Sequence, residues 1–174
     1  MSNLNNIVMF ACNEGGHFSQ LTALNQLFHE YDSVLVTDND RANLQTKKLE
    51  GLRSIEYAMS ISNKRKTNSS KQTKKKKSRL SYLFAHIKMW KECSKIWKIY
   101  RPAVIISTGS NIAVHLFLYG KLHGSKLIFI ETRAHVYSKS TTGMIVGRFA
   151  DKVFVQWPEM LKVYPRAEYC GTLV

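Results

Sequence analysis

The chain has 174 residues, of which 44% are hydrophobic and only three are proline, a composition that fits one globular domain and argues against a disordered protein. Lysine and arginine number 26 against 12 acidic residues, so the formal charge is +14. This surplus indicates an anionic partner, such as nucleic acid, an acidic membrane surface or a phosphorylated substrate.

The cysteines and the N-terminus predict a cytoplasmic protein. Cys12, Cys93 and Cys170 stand far apart without a C-x-x-C pair, so we expect reduced thiols and no metal site. Residues 1–6 are polar, and the apolar run at 7–12 is too short for a signal sequence or a spanning helix. We therefore expect no segment that crosses a bilayer, whereas attachment to a membrane surface stays open.

The first predicted unit is a strand, a glycine turn and a helix. The strand is the apolar run at 7–12, the turn holds Gly15, Gly16 and His17, and the helix covers residues 18–28 with its apolar side chains on one face. Glycines allow the backbone to approach a ligand closely, and a helix N-terminus favours a phosphate or pyrophosphate. The alternative is a tight turn that only starts a helix.

The α/β pattern continues around a basic insert. Residues 34–37 and 55–59 are predicted strands, with a short helix at 41–49 between them. Residues 63–79 carry nine lysine and arginine residues with no acidic and no apolar residue, so we expect a mobile insert there. Because the α/β pattern resumes beyond it, residues 1–174 are predicted to form one domain.

The next predicted helix, at residues 80–100, combines aromatic and lysine side chains. One interpretation is a helix that covers the core of the sheet. The other is a helix in the membrane interface, where each nearby lysine or arginine contributes about 1 kcal/mol with anionic lipid. Nucleic-acid binding by the lysine-rich insert is a weaker alternative, because no helix-turn-helix, zinc-finger or RNA-recognition signature accompanies the charge.

The second half of the chain repeats the alternation. Predicted strands lie at 104–107, 126–130, 152–157 and 167–171, and predicted helices lie at 112–122, from about Thr141 and from Pro158. The whole pattern predicts an α/β fold with a doubly wound, mostly parallel sheet.

Three loops that follow predicted strands carry the polar residues of interest. These are Gly15, Gly16 and His17 in the first loop, Gly109, Ser110 and Asn111 in the second, and Glu131, Thr132, Arg133 and His135 in the third. Ligands of open α/β sheets bind outside the carboxyl ends of the strands, so we expect the three loops to line one site.

Several common site motifs are missing from these loops. The first turn lacks the G-x-G-x-x-G spacing of dinucleotide-binding proteins, and neither a P-loop nor the G-x-S-x-G of serine hydrolases occurs. Two glycine turns at helix starts, a histidine and the Glu131 segment suit the binding of a pyrophosphate and the deprotonation of a hydroxyl. Glycosyl transfer from a nucleotide sugar needs both.

The same residues carry a family resemblance that covers nearly the whole chain. The matching motifs are Gly15-Gly16-His17, Gly109, residues 131–143, Ala150-Asp151 and residues 155–157 through Gly171. Together they resemble the small-subunit family of two-part glycosyltransferases. Its members include the membrane subunit of the eukaryotic dolichol-linked GlcNAc transferase and subunits of bacterial capsule and exopolysaccharide synthesis.

The resemblance implies the N-terminal half of a GT-B glycosyltransferase, similar to the first domain of the peptidoglycan GlcNAc transferase. It implies a separate donor-binding subunit that brings the UDP-sugar, a polyprenyl-diphosphate-linked sugar as acceptor, and no cofactor. The expected place is the inner face of the plasma membrane, in capsule or exopolysaccharide synthesis. The alternative is a non-catalytic scaffold that only places its partner at the membrane.

The resemblance also implies roles for particular residues. His17 and Glu131 are expected to act in catalysis. The expected acceptor and diphosphate contacts are Gly15, Gly16, Gly109, Ser110, Asn111, Thr132, Arg133 and His135. The expected membrane contacts are Lys74, Lys75, Lys76, Lys77, Arg79 and Trp90.

Two positions depart from the family pattern. The family usually has Glu-Ser where this chain has Glu131-Thr132, which is a mild change, and an arginine where His135 stands. The second departure weakens the expectation of a permanent cation at position 135. The chain also begins without the N-terminal spanning helix of the eukaryotic members, so we expect membrane contact from residues 64–100.

Overall fold

The apolar runs of the sequence form a parallel sheet in a computed structural model, which describes residues 6–13, 15–38, 49–58 and 79–173. The strands are β1 (Ile7–Ala11), β2 (Asp32–Asp38), β3 (Leu52–Ala58), β4 (Val104–Ser107), β5 (Lys126–Ile130), β6 (Lys152–Val155) and β7 (Glu168–Tyr169). Their order is β3-β2-β1-β4-β5-β6-β7, and every neighbouring pair is parallel. The predicted α/β, Rossmann-like, doubly wound sheet is confirmed.

Five α-helices and one short 3-10 helix are described beside the sheet. They are α1 (Gly16–Thr22), α2 (Asn25–Glu30), α3 (Arg79–Tyr100), α4 (Asn111–Leu122), α5 (Thr141–Val146) and a 3-10 helix at Pro158–Lys162. None of the helices in the described part of the chain is long and apolar enough to cross a membrane.

The sheet has an apolar core on both faces. All five residues of β1 are buried, and successive side chains point to opposite faces, so a central strand must be apolar throughout. Met9 packs in the core under α3 and α4, whereas Phe10 packs against Phe28 of α2 with ring centroids 4.7 Å apart. This two-sided burial explains the continuous apolar runs that predict the strands.

Some element bounds differ from those predicted. The helix predicted at 18–28 is two helices, α1 and α2, separated at Ala23 and Leu24. The amides of Leu24 and Leu27 bond to carbonyls only three residues earlier, which tightens the chain at the break. Both helices keep their apolar side chains toward the sheet, so periodicity alone does not show the break.

Other predictions fall partly outside the described residues. The helix predicted at 41–49 lies outside them apart from Leu49, and the insert predicted at 63–79 lies outside them apart from Arg79, which begins α3. Strand β3 begins at Leu52, earlier than predicted, and β6 ends at Val155, which frees Gln156 and Trp157 for the loop region.

One face of α3 covers the core, as one interpretation of residues 80–100 predicts. Met89, Cys93, Ile96 and Trp97 are buried in the cluster that they share with α4. Trp90 is also turned inward, with its ring centroid 5.5 Å from that of Tyr119 on α4. Lipid contact by Trp90 therefore stays a prediction, and the indole is partly covered by α4.

The three cysteines are free thiols. Burial raises the pKa of Cys93 to about 12, and burial together with the charge of Asp38 raises the pKa of Cys12. Both thiols therefore stay protonated and behave as small apolar core residues.

Candidate functional site

His17 lies where β1 passes into α1, and its ring is fixed by the loop after β4. Its Nδ1 donates a hydrogen bond to the carbonyl oxygen of Thr108 at 2.8 Å, and the Thr108 hydroxyl donates to the carbonyl oxygen of His17 at 2.8 Å. A carbonyl oxygen can only accept, so Nδ1 carries a proton, and the tautomer that this contact selects has its lone pair on Nε2. The fold thus sets the tautomer that a general base needs.

Gly109 allows the β4 loop to approach this ring closely. Its φ is +110°, and a Cβ added there would lie 3.0 Å from Cε1 and 3.2 Å from Nδ1 of His17. A side chain at this position would strain the backbone and displace the imidazole. Gly109 therefore positions His17, which the sequence alone does not indicate.

The contact between the two loops lies at the point where the strand order reverses. Strand β1 pairs with β2 on one side and with β4 on the other, and both pairs are parallel. The carboxyl ends of two strands whose connections leave in opposite directions form a natural crevice. His17 and Thr108 stand at this crevice.

A cavity of about 570 Å³ opens beside His17. Residues 132–142 supply most of the cavity wall, and we name them the acceptor loop after the role proposed for them below. The lining residues are Gly16, His17, Gln20, Thr132, Arg133, Ala134, His135, Ser140, Thr141 and Thr142. These described lining residues include one arginine, two histidines and four hydroxyl side chains and no carboxylate, which is a composition suited to an anionic, hydroxyl-rich ligand.

The structure brings most of the predicted site residues to this cavity or its border. Gly16, His17, Thr132, Arg133 and His135 line it. Gly15 directly precedes the lining residue Gly16, and Gly109 touches the ring of His17. These placements agree with a shared site for the three loops, and the roles assigned to these residues stay predictions.

The remaining residues of the β4 loop serve helix α4. The Ser110 hydroxyl accepts a hydrogen bond from the amide of Ala113 at 3.1 Å, which caps the helix. The carbonyl oxygen of Asn111 accepts from Nδ1 of His115 at 2.8 Å. Neither residue lines the cavity, so their predicted diphosphate contacts find no support in its geometry.

Glu131 lies below the cavity and not in its wall. The residue is 1% exposed, and its Oε1 accepts from the amide of Thr132 at 3.0 Å. Its Oε2 accepts from the amide of Ser140 at 3.2 Å and from the hydroxyl of Tyr164 at 2.5 Å. Both oxygens are thus occupied by the protein, and the expected catalytic contact of Glu131 with substrate is not supported.

Tyr164 completes this buried polar centre. Its ring and hydroxyl are inside the protein, and burial together with the neighbouring Glu131 raises the pKa of Tyr164. The hydroxyl therefore stays protonated and acts as a donor to the carboxylate. Gly143 leaves the necessary room, because an added Cβ would lie 2.0 Å from the Tyr164 hydroxyl oxygen and 2.3 Å from Oε2 of Glu131.

Gln20 is a site residue that sequence reasoning missed. Its Nε2 donates to the carbonyl oxygen of Gly16 at 3.0 Å and to Oγ1 of Thr132 at 3.1 Å. Its Oε1 accepts from the amide of Arg133 at 3.0 Å and from Nε2 of Gln156 at 2.6 Å. The available signal was spacing, because Gln20 stands about one helical turn after His17 and shares its side of α1.

Gln156 and Trp157 support the same loop from below. The Nε2 of Gln156 also donates to the carbonyl oxygen of Glu131 at 2.9 Å, and the indole of Trp157 donates to the carbonyl oxygen of Arg133 at 2.7 Å. The acceptor loop is therefore held by side chains from α1 and from the segment after β6. Within the described residues, no group of three His, Cys, Asp or Glu side chains could hold a metal ion.

Solved structures share this architecture. MurG from Acinetobacter baumannii superposes with a TM-score of 0.68 at 15% identity, over 97% of this chain and 45% of that chain. UDP-N-acetylglucosamine 2-epimerase from Rickettsia bellii superposes with a TM-score of 0.67 at 8% identity, over 97% of this chain and 45% of that chain. At these identities the likeness shows the fold alone.

Sequence comparison is more specific. Two relatives are called "UDP-N-acetylglucosamine transferase subunit ALG14". The one from Yarrowia lipolytica is 38% identical over 81 residues, which are 43% of this chain and 38% of the relative. The one from Candida albicans is 38% identical over 101 residues, which are 54% of this chain and 42% of the relative. The matches thus span about two fifths of the length of these relatives.

A family profile extends over almost the whole chain. The profile described as "Oligosaccharide biosynthesis protein Alg14 like" matches residues 8–173, a range that includes the His17 turn, the β4 loop and the acceptor loop. The chain therefore belongs to the Alg14-like family.

Proposed function

We propose that this chain is the acceptor-binding subunit of a two-component UDP-N-acetylglucosamine transferase. A separate subunit would bind the UDP-sugar, and the acceptor would be a sugar linked to a polyprenyl diphosphate. The names of the relatives, which describe transferase subunits, support the donor and the division into subunits. The observation that carries the proposal is His17, whose Nδ1 is bonded to Thr108 and whose ring lines a cavity with no carboxylate among its described residues.

In this proposal His17 acts as the general base. Its Nε2 takes the proton of the acceptor hydroxyl as that oxygen attacks the anomeric carbon of the donor. The new bond joins the acceptor oxygen to the anomeric carbon, and the bond from that carbon to UDP breaks. The proton ends on Nε2, and the hydrogen bond from Nδ1 to Thr108 stabilises the resulting imidazolium.

The cavity wall would bind the charged part of the acceptor. Arg133 and His135 supply positive charge or hydrogen-bond donors. Hydroxyl groups come from Thr132, Ser140 and Thr142. The backbone at Gly15 and Gly16 offers close approach, because no atom of the described residues lies within 4 Å of a Cβ added at either position. The context of capsule or exopolysaccharide synthesis rests on the sequence resemblance alone.

A membrane surface is the second part of the proposal. The outer face of the first two turns of α3 carries four exposed apolar residues at the spacing i, i+3, i+4 and i+7, which we call the apolar stripe: Leu80, Leu83, Phe84 and Ile87. They are 44% to 67% exposed, and the exposed lysines Lys88 and Lys91 follow directly. Such a face suits insertion into the interface of an anionic bilayer.

The apolar stripe would lie at the same edge of the sheet as the cavity. Along α3, His86 and Trp90 contact His115 and Tyr119 of α4, and Trp97 contacts His123 directly after α4. The two helices therefore run side by side in the same direction. Helix α4 begins at the carboxyl end of β4, where the cavity opens. Lys74, Lys75, Lys76, Lys77 and Arg79 precede the stripe in the sequence and would add attraction to anionic headgroups at the inner face of the membrane.

Reconstitution with a donor-binding subunit tests the transferase proposal. The substrates are UDP-N-acetylglucosamine and, as a probe, N-acetylglucosamine linked to a short isoprenyl diphosphate. We expect transfer by the pair and little or none by this chain alone. The variant His17→Ala should lower kcat on the order of a hundredfold or more.

Two results would contradict the proposal. Ordinary turnover by the purified chain alone would exclude the two-component arrangement. Full activity of the pair with His17→Ala would instead support a scaffold that places its partner at the membrane without contributing to the reaction.

A further inference from the structure

The acceptor loop is closed at its base by one carboxylate. Glu131 receives hydrogen bonds from the amide of Thr132 at the start of the loop, from the amide of Ser140 near its end, and from the hydroxyl of Tyr164. Two of these donors belong to the acceptor loop, and the third, Tyr164, follows the 3-10 helix. A single side chain thus fixes the distance between the loop ends.

Removal of this carboxylate would leave buried donors without partners. Thr132 and Ser140 are both buried, and their amides find their acceptor in Glu131. A buried amide that loses its acceptor is unfavourable enough to reorganise the backbone around it. The loop would open until water reached these amides, and the wall of the cavity would move with it.

The residues around Glu131 leave room for its hydrogen bonds and support them. Gly143 has no side chain where a Cβ would lie against both the Tyr164 hydroxyl and Oε2 of Glu131. The Ser140 hydroxyl accepts from the amide of Gly143 at 2.9 Å, so the residue that closes the loop also caps α5. The ammonium of Lys139 lies 4.4 Å from the centroid of the Tyr164 ring and covers the outer side of the polar cluster around Glu131.

Side chains other than Glu131 also hold the loop. Gln20 binds the amide of Arg133 and the hydroxyl of Thr132, and Gln156 binds Gln20. These contacts fix the loop to α1 and so to His17. Glu131 controls a different feature, which is the closure of residues 132–140.

We infer that Glu131, with Tyr164, is a positioning residue that shapes the acceptor loop for binding and takes no part in proton transfer. The part of this inference that concerns catalysis rests on the proposed transferase function. The part that concerns the loop rests on the hydrogen bonds alone. Acceptor affinity should depend on Glu131, and the chemical step should depend on His17.

Hydrogen exchange of the isolated full chain tests the effect on the loop without any assay of transfer. In Glu131→Gln one oxygen becomes an amide group that faces donors, so we expect the amides of Thr132 and Ser140 to exchange about tenfold faster or more. Tyr164→Phe keeps the buried ring and removes one donor, so it should give a smaller increase. Glu168→Gln, which changes an exposed carboxylate paired with Lys152, is the matched control and should leave the loop unchanged.

Unchanged exchange of the acceptor loop in both Glu131→Gln and Tyr164→Phe would overturn the inference. If Glu131→Gln does not fold, amide exchange of the acceptor loop in Tyr164→Phe tests the inference by itself. This readout is independent of the transferase, so a failure of the proposed function leaves it valid.

Kinetics of the reconstituted pair separate positioning from catalysis. With the isoprenyl-diphosphate-linked probe, Glu131→Gln should raise the KM for acceptor about tenfold, leave kcat within about threefold, and leave the pH dependence of kcat in place. His17→Ala should instead lower kcat. Loss of one limb of the pH profile in Glu131→Gln, with KM unchanged, would identify Glu131 as the base and overturn the inference.

Discussion

The acceptor loop and the apolar stripe differ in how they are held, although we place both at the carboxyl edge of the sheet. The loop is polar, and its backbone is bound by the buried side chains of Gln20 and Glu131 and by the half-buried Trp157. The stripe is apolar and exposed, and only the opposite face of its helix packs against the core. A polar site must be organised by the protein because water competes for every donor, whereas a lipid-facing surface needs only exposure and the right charges.

The strongest test of this difference is a methyl group inserted under the loop. Gly143→Ala places a Cβ where Glu131 and Tyr164 meet, so we expect the free energy of unfolding to fall by about 2–4 kcal/mol through overpacking and loss of the buried hydrogen bond. Denaturant unfolding measures the change. Met144→Ala, at the next and exposed position of α5, is the control and should have little effect. Equal stability of Gly143→Ala and wild type would mean that the loop base is not tightly packed.

A methyl group beside His17 should affect transfer more than folding. Gly109→Ala moves the imidazole by contact, so we expect transfer by the reconstituted pair to fall about 10- to 100-fold. The unfavourable φ of +110° should lower the free energy of unfolding by only about 1–2 kcal/mol.

Gly124→Ala is the matched control for Gly109→Ala. Gly124 has a φ of +84°, but an added Cβ there would meet no atom within 4 Å. The control should therefore show the backbone strain without the loss of transfer. If both variants lose transfer equally, the contact with His17 is not the cause.

The smallest effect on folding is expected at the apolar stripe. The double variant Leu83→Asp with Phe84→Asp should weaken binding to vesicles that contain anionic lipid about tenfold or more, because exposed apolar side chains no longer enter the interface. The free energy of unfolding should change by less than about 0.5 kcal/mol, since neither residue packs in the core. Vesicle flotation and denaturant unfolding measure the two quantities.

Ile99→Asp is the control for the stripe. Ile99 is exposed like the stripe residues but lies at the other end of α3, next to Tyr100. Its substitution should leave vesicle binding unchanged. The proposed membrane surface would be contradicted if Ile99→Asp weakened vesicle binding as much as the double variant does. It would also be contradicted if the wild type bound anionic and neutral vesicles equally well.

The sequence was informative wherever burial alone decides structure. The apolar runs that become β1, β2, β4 and β5 predict a parallel sheet because a strand covered on both faces must be apolar along its length. Polar residues after these runs then fall at the carboxyl edge by geometry. His17 could be proposed as a site residue for that reason, and it lines the cavity.

The direction in which each polar side chain points required the tertiary structure. Glu131 and His17 both follow strands, yet one is turned toward Tyr164, which comes 33 residues later, and the other lines the cavity. Residues 80–100 gave a similar ambiguity, because the aromatic and apolar residues of α3 occupy two faces. Only packing against α4 shows that Trp90 faces inward and Phe84 outward.

The sequence by itself therefore determined the sheet, the edge that carries the site, and the family. The tertiary structure decided which residues touch the cavity, which residues hold its wall, and where the predicted helix at 18–28 divides. The physical reason is the sequence separation of the interacting residues. Strand burial shows as a run of consecutive apolar residues, whereas the hydrogen bonds of Gln20 and Glu131 join segments up to 136 residues apart.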